Sequence, residues 1–315
     1  MRQMIDDIIF AIVNVTIVVL LAPLFEGIIR KISARLQGRY GPPIVQPYRD
    51  LAKLFSRTLL TKPQTVSDRL YQLTPLLAFA TIVVTAALVP TFVARPLTLA
   101  DILVIFYLMS LVRFVYSIAS FNVANPFAVI GSAREHLLTL GVEPAALLAA
   151  IMVALSTSSP SAAWIAASIP HVLASYHWSF IPALLGFTAA LLADLALPPF
   201  DVAEAEQEIS EGLLAEYGGP LLGLFKLAMN CKRLVLLNLL FALFLPFGMV
   251  TPPHYTIIGL VIAPLIYLLK VVIAAILLSL MVVAAARLKI HDVINYLLYS
   301  LVFSTVAGIM YILSG

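Results

Sequence analysis

Long apolar stretches separated by short polar segments dominate this chain. A helix needs about 20 mostly apolar residues to cross the hydrocarbon core of a bilayer, and eight stretches have about that length. We therefore predict an all-α, polytopic integral membrane protein with about eight transmembrane helices, built as one domain over residues 1–315. The predicted spans are residues 8–29, 72–94, 100–120, 142–163, 179–197, 220–246, 256–286 and 292–314.

The composition agrees with this pattern and excludes several functions. Hydrophobic residues make up 62% of the chain and charged residues 11%, whereas soluble domains carry about 25% charge. The net charge is only +3, and no basic stripe with interleaved aromatics indicates nucleic-acid binding. Because Cys231 is the single cysteine, this chain alone cannot supply a cysteine-held iron–sulfur cluster. We predict no metal site on it.

The distribution of lysine and arginine predicts the orientation. Cytoplasmic loops are enriched in these residues, and residues 30–71 carry nine of them. Alternating the spans then gives cytoplasmic segments at about 30–71, 121–141, 198–219 and 287–291, with both termini outside. The connections near residues 90–100 and 164–178 become outer loops.

The segment from Pro198 to Gly219, called the acidic segment below, contains an unusual cluster of carboxylates. The spacing of the first two suits the start of a helix, and a continuing helix would align three others on one face. Neighbouring carboxylates make each other harder to ionise, so some can hold a proton near neutral pH, as a relay requires. The alternative is an electrostatic clasp with the basic residues 30–71. The six carboxylates are Asp201, Glu204, Glu206, Glu208, Glu211 and Glu216.

Other ionisable residues lie in or beside the predicted spans. Charge at membrane depth is costly and often marks an ion pathway or a structural ion pair. We expect Glu26, Asp101 and Arg233, near predicted helix ends, to reach water. The others are harder to explain by position alone. They are Arg113, Glu143, Asp194, Lys226, Lys232 and Lys270.

Three segments together carry a family resemblance. They read RYGPPIVQPYRDLAK from Arg39 to Lys53, GSAREHLLTLGVE from Gly131 to Glu143, and PFDVAEAEQEISEGLLAEYGG from Pro199 to Gly219. Their order and spacing resemble the membrane subunit shared by respiratory complex I, where it is subunit 1, and the energy-converting nickel–iron hydrogenases, including formate hydrogenlyase. The resemblance extends over nearly the whole chain.

This resemblance implies a non-catalytic subunit in the plasma membrane of a prokaryote. Such a subunit docks a soluble module of hydrogenase-like large and small subunits and links it to antiporter-like membrane subunits. The iron–sulfur clusters and the nickel–iron centre are expected on those partners, with no cofactor on this chain. Protons or sodium ions would be moved by the complex.

The resemblance also implies roles for individual residues. The carboxylates of the acidic segment would respond to the redox reaction, with Arg39 and Arg134 neutralising or gating them. Arg49 and Lys53 would contact the soluble partner. The path from the acidic segment into the membrane would use Glu143, Asp194, Lys226 and Lys232.

Several alternatives remain open at this point. Complex I members usually place a carboxylate–aromatic pair after the Glu216–Gly219 turn, where this chain has Met229 and Asn230, so we favour the hydrogenase branch. A quinone-site subunit of a complex I-type dehydrogenase is the second hypothesis, and a sulfur-reducing complex or a passive scaffold is also compatible. A self-contained secondary transporter ranks lower, because no internal repeat is evident.

Overall fold

The computed structural model describes residues 2–57, 63–94, 100–202, 212–251 and 257–314. These residues form nine α-helices and a short 3₁₀ turn at Gly212–Glu216. The helices are α1 (Arg2–Leu36), α2 (Gln46–Phe55), α3 (Asp68–Leu88), α4 (Ile102–Asn122), α5 (Pro126–Ser156), α6 (Ala162–Asp194), α7 (Gly219–Phe244), α8 (Ile257–Ala284) and α9 (Ile290–Ser314).

The prediction of about eight spanning helices is confirmed. Within the described residues, seven helices are long and apolar enough to cross a membrane, and Trp178–Asp194 of α6 forms a shorter apolar helix. The remaining helix, α2, is short and has polar and apolar faces, as expected for a helix that lies at the membrane surface rather than across it.

The segment 121–141 differs from the loop that we predicted. Helix α4 ends at Asn122 and α5 begins at Pro126. The Asn125 side chain accepts a hydrogen bond from the amide of Phe127, and Pro126 occupies the first turn, so the helix start is well defined. Hydropathy missed this half of α5 because polar residues such as Ser132, Arg134 and His136 lower its mean hydropathy.

The connection predicted at residues 164–178 is also wrong, because it lies inside α6. The actual break falls at residues 157–161, between α5 and α6, inside the predicted span 142–163. The sequence there is TSSPS, and Ser158 adopts a positive φ of 55°, which ends the helix. The averaged hydropathy does not show this short break, so the predicted boundaries on both sides of it were displaced.

Helix α7 lies at the centre of the bundle and packs against α1, α2, α3 and α6. Every residue from 234 to 244 is buried, so the second half of this helix is surrounded by protein. By contrast, α8 and α9 expose many large apolar side chains, including Leu265, Leu277 and Phe303. These two helices are suited to contact lipid or other membrane chains.

Two glycines let the chain pack closely around α1 and α7. The carbonyl of Ile44 occupies the position that a Cβ atom of Gly27 would take, so the connection after α1 can lie directly on that helix. On α7, the Cβ position of Gly223 would lie 3.3–3.4 Å from side-chain atoms of Leu54 and Phe55. These contacts hold α2 against α1 and α7, and Tyr48 of α2 donates a hydrogen bond to the carbonyl of Leu20 on α1.

Candidate functional site

Arg113 of α4 forms the centre of a buried ion-pair network. Only 5% of its side chain is exposed, and its two terminal nitrogens contact carboxylates on two other helices. Nη1 lies 2.5 Å from Glu143 of α5, and Nη2 lies 2.5 Å from Asp194 of α6. Ser110 of α4 also donates to Glu143. The planar guanidinium, with its fixed set of donors, suits such a double contact.

Asp194 connects this centre to α7. Its second oxygen lies 2.9 Å from Nζ of Lys232, and only 8% of the Asp194 side chain is exposed. The carboxylate is therefore shared between an arginine and a lysine from different helices. We call the group Glu143–Arg113–Asp194–Lys232 the Arg113 network.

A second network surrounds Glu26 of α1. This carboxylate accepts from Arg30, one turn later on the same helix, and from Arg233 of α7, each at 2.8 Å. Arg30 also lies 3.9 Å from Asp50 of α2, at a partly exposed position. We call the group Asp50–Arg30–Glu26–Arg233 the Glu26 network.

The two networks meet at consecutive residues of α7, Lys232 and Arg233. Arg233 donates to the carbonyl of Leu195 at 3.0 Å and to that of Ala196 at 3.3 Å, immediately after Asp194. Backbone carbonyls at the end of α6 would otherwise lack helical partners. Charged groups therefore extend from Asp50 of α2 at the protein surface to Glu143 of α5, through side chains of α1, α7, α6 and α4.

A polar contact between α4 and α5 continues beside the Arg113 network. Ser117 contacts His136, and the hydroxyls of Ser117 and Ser132 are 2.8 Å apart. A small cavity of about 50 Å³ lies nearby and is lined by Arg113, Glu135 and Asp194 among others. Polar side chains of α4 and α5 therefore lie beside this network, while most residues that line the small cavity are apolar.

A larger cavity of about 450 Å³ lies on the other side of α7, between α1, α2 and α7. We call it the basic cavity, because five of its lining residues are bases and only two, Glu26 and Asp50, are acids. The side chains of Lys53, Arg57 and Lys226 make no ion pair or hydrogen bond with any residue that the structure describes. The lining residues are Glu26, Arg30, Pro47, Asp50, Leu51, Lys53, Leu54, Arg57, Leu214, Lys226, Met229, Asn230 and Arg233.

The described ends of the acidic segment are fixed to the bundle. Asp201 lies 3.1 Å from Arg287, and the Glu216 side chain accepts from Asn125 at 2.5 Å. Next to it, the ring of Tyr217 stacks on Tyr71 at a centroid distance of 4.4 Å. Burial raises the pKa of Tyr217 to about 12, so its hydroxyl remains neutral. Glu204, Glu206, Glu208 and Glu211 lie outside the described residues.

The predicted basic residues have separate positions. Arg39 is exposed and donates to Gln37 at 2.7 Å, whereas Arg134 reaches the carbonyl of Val202 at 3.4 Å, next to the acidic segment. Arg49 and Lys53 share helix α2, but only Lys53 lines the basic cavity. The structure thus brings Glu143, Asp194 and Lys232 together, and it separates Lys226 from them.

Sequence reasoning misjudged two members of the Glu26 network. We expected Glu26 and Arg233 to reach water, but their side chains are only 8% and 12% exposed. The four-residue spacing of Glu26 and Arg30 was a usable signal for an ion pair on one helix face. Arg113 stood out in the sequence only as a charge at membrane depth, and its two partners are distant in the chain.

This arrangement can redistribute charge but holds no evident catalytic group. When one carboxylate gains a proton, its hold on the shared base weakens and the next carboxylate in the series binds that base more strongly. Among the described residues, no group of three or more His, Cys, Asp and Glu side chains could hold a metal ion. The fold and the networks define a polytopic membrane protein with charged groups at membrane depth.

Comparison with known proteins gives the family. A family model described as NADH dehydrogenase matches residues 8–313. The chain therefore belongs to this family, the complex I subunit 1 family, and the predicted resemblance is confirmed.

Two relatives from Escherichia coli strain K12 are similar over most of their length. Hydrogenase-4 component C is 37% identical over 257 residues, which are 79% of this chain and 79% of that protein. Formate hydrogenlyase subunit 4 is 32% identical over 252 residues, or 78% of this chain and 80% of that protein.

A solved structure has the same fold. It is a chain of the membrane-bound sulfane sulfur reductase, an archaeal respiratory membrane complex. The two chains align with a TM-score of 0.80 at 23% identity, covering 97% of this chain and 99% of the other.

Proposed function

We propose that this chain is the membrane anchor and ion-translocation coupling subunit of a redox-driven proton or sodium pump. In this proposal it docks a soluble nickel–iron hydrogenase-like module, whose subunits carry the iron–sulfur clusters and the nickel–iron centre. It transmits the redox reaction to antiporter-like membrane subunits. The complex sits in the plasma membrane of a prokaryote, with both termini of this chain outside.

The observation that carries the proposal is the series of charged side chains from Asp50 to Glu143. The charges in the middle of this series are buried, and buried charges are costly unless they are paired, so we assign the series a role beyond stability. In this series, carboxylates alternate with bases, apart from the adjacent bases Lys232 and Arg233. The similarity to hydrogenase and formate hydrogenlyase subunits supports the nature of the partner complex.

Coupling then follows from the shared partners. A redox change in the soluble module alters the charge at the acidic segment and at α2, on the cytoplasmic face. Arg30, Glu26 and Arg233 shift in response, and the neighbouring Lys232 changes its hold on Asp194. Arg113 then moves between Asp194 and Glu143. Glu143, whose side chain is 33% exposed, passes the change to an adjoining membrane subunit.

The cytoplasmic surface supplies the docking site. Arg49 is exposed on α2, and Arg39 is exposed in the preceding loop. Arg134 lies close to the acidic segment, at Val202. We assign these three bases to contacts with the soluble module and to control of the acidic segment. Lys226 adds positive potential between that surface and the Glu26 network.

The decisive experiment uses the native complex, purified through a tag on this chain and reconstituted in liposomes. The variant Glu143→Gln should keep hydrogen-dependent electron transfer in detergent but lose ion uptake by the liposomes. Asp292→Asn is the matched control, since Asp292 is an exposed carboxylate in the first turn of α9. It should retain both activities.

Other outcomes favour the alternatives. Unchanged ion uptake in Glu143→Gln would indicate a passive scaffold. Turnover that requires added quinone would move the chain to the quinone-reducing branch. The absence of redox subunits from the purified material, with transport by this chain alone, would support a secondary transporter. Selective collapse of the gradient with a protonophore or a sodium ionophore identifies the ion.

A further inference from the structure

The basic cavity has features that the coupling proposal does not use. Three helices form its walls, and two of them present residues at helical spacing. These are Asp50 and Lys53 on α2, with Arg57 just beyond the end of that helix, and Lys226, Asn230 and Arg233 on α7. Residues three, four and seven apart share one helix face, so both helices direct a polar face into this space. Its volume of about 450 Å³ lies within the range of ligand sites, which is about 300–1,000 Å³.

The charges in this cavity are not balanced by its own residues. Glu26 is already bound by Arg30 and Arg233, and Asp50 accepts from Gln46 at 2.9 Å. Three bases on two walls remain without a counter-ion among the described residues, namely Lys53, Arg57 and Lys226. Lysine and arginine in this density favour a phosphate group, which offers several acceptor oxygens to them.

The surroundings indicate where that phosphate comes from. Helix α2 buries Pro47 and Leu51 against the bundle, while Ile44, Val45 and Phe55 near its two ends are 41–45% exposed. The Tyr48 hydroxyl is held by the Leu20 carbonyl of a membrane-spanning helix. Amphipathic helices with such apolar and tyrosine side chains lie at the boundary between headgroups and acyl chains. Basic pockets between transmembrane helices on the cytoplasmic side bind anionic headgroups.

We propose that the basic cavity binds the phosphate headgroup of an anionic phospholipid from the cytoplasmic leaflet. Lys53 of α2, Arg57 just after that helix and Lys226 of α7 contact the phosphate oxygens from opposite walls. Apolar lining residues such as Leu54 and Met229 contact the glycerol and the upper acyl chain. The bound lipid would hold α2 against α7.

Native mass spectrometry of the intact complex tests whether the basic cavity binds an anionic phospholipid. The delipidated complex is titrated with phosphatidylglycerol, with zwitterionic phosphatidylcholine as reference. The double variant Lys53→Gln/Lys226→Gln is expected to bind phosphatidylglycerol about 25-fold more weakly, because each base near an anionic lipid contributes roughly a factor of five. The control Arg69→Gln/Lys289→Gln removes two exposed bases outside the cavity and should bind as the unmodified complex does.

Two further measurements separate charge loss from misfolding. The variant Lys53→Arg/Lys226→Arg keeps both charges and should retain binding. In the unmodified complex, added salt should weaken binding of phosphatidylglycerol but not of phosphatidylcholine. Equal losses in the cavity and control variants, no loss in either, or equal binding of the two lipids would overturn the proposal. Tight binding of inorganic phosphate alone, with the same dependence on Lys53 and Lys226, would overturn the lipid assignment. None of these readouts depends on ion pumping, so they remain informative if the coupling proposal fails.

Discussion

The two sides of α7 differ in whether the charged side chains beside them have partners of opposite charge. On one side, Asp194 is shared by Arg113 and Lys232, and each charge in the Arg113 network has a partner within 2.9 Å. On the other side, Lys226 lines the basic cavity with Lys53 and Arg57, and the described residues supply these three bases with no counter-ion. Burial accounts for the difference. A charge inside protein must be paired to be tolerated, whereas one beside an open cavity stays hydrated until a ligand arrives.

Among the substitutions that test this difference between the two sides of α7, Arg113→Leu is expected to have the largest effect on stability. This change leaves the buried Asp194 with only Lys232 and the partly exposed Glu143 without a base, and breaking a buried ion pair such as Arg113–Asp194 costs about 3–5 kcal/mol. We expect a large drop in the unfolding temperature of the purified complex. Arg69→Gln, at an exposed base, should leave that temperature unchanged. The double variant Arg113→Leu/Glu143→Leu should recover part of the loss, because it removes the carboxylate left without a base and keeps the Asp194–Lys232 pair. A single variant as stable as the unmodified protein would contradict the assignment.

The substitution Glu26→Gln tests the Glu26 network, which borders both the Arg113 network and the basic cavity. It removes the negative charge between Arg30 and Arg233 and replaces one of the two acceptor oxygens of Glu26 with an amide donor, while Arg233 keeps the Leu195 and Ala196 carbonyls. Hydrogen bonds to charged groups contribute about 1.5–3 kcal/mol, so we expect a loss in that range. The unfolding temperature should fall less than in Arg113→Leu. If it fell equally in the exposed-carboxylate control Asp292→Asn, burial would not be the cause.

Gly27→Ala tests whether backbone packing sets the wall of the basic cavity. The added methyl group would overlap the carbonyl of Ile44, so the connection to α2 must move, at about 1–3 kcal/mol for overpacking. Gly308→Ala in α9 is the matched control, because nothing lies within 4 Å of its Cβ position. That change should be neutral or stabilise the helix by up to about 1 kcal/mol. Thermal unfolding of both variants decides between packing and helix propensity, and equal shifts would refute the packing contact.

Asp50→Asn should have the smallest effect. The Asp50 carboxylate is 3.9 Å from Arg30, and both side chains are about half exposed. Exposed pairs contribute about 0–1 kcal/mol because water and salt screen them, so we expect little change in the unfolding temperature. A loss comparable to that of Glu26→Gln would show that Asp50 is buried by a partner in the assembled complex.

Much of the fold could be predicted because a spanning helix leaves a long apolar stretch. That rule fails where a helix carries polar residues that contact a neighbouring helix, as Ser132 and His136 do in α5, or where a break such as TSSPS is short. The site was partly predictable for the same reason. Charge at membrane depth drew attention to Glu143, Asp194 and Lys232, but which charges meet depends on how distant helices pack. Glu26 and Arg233 lie near helix ends in sequence, yet neighbouring helices bury them.

Lys232 and Arg233 are consecutive on α7, so their side chains point about 100° apart around its axis. Lys232 forms an ion pair with Asp194, and Arg233 forms one with Glu26. A rotation of α7 about its axis would therefore displace Lys232 and Arg233 together. Such a rotation would change the Arg113 network and the Glu26 network at the same time.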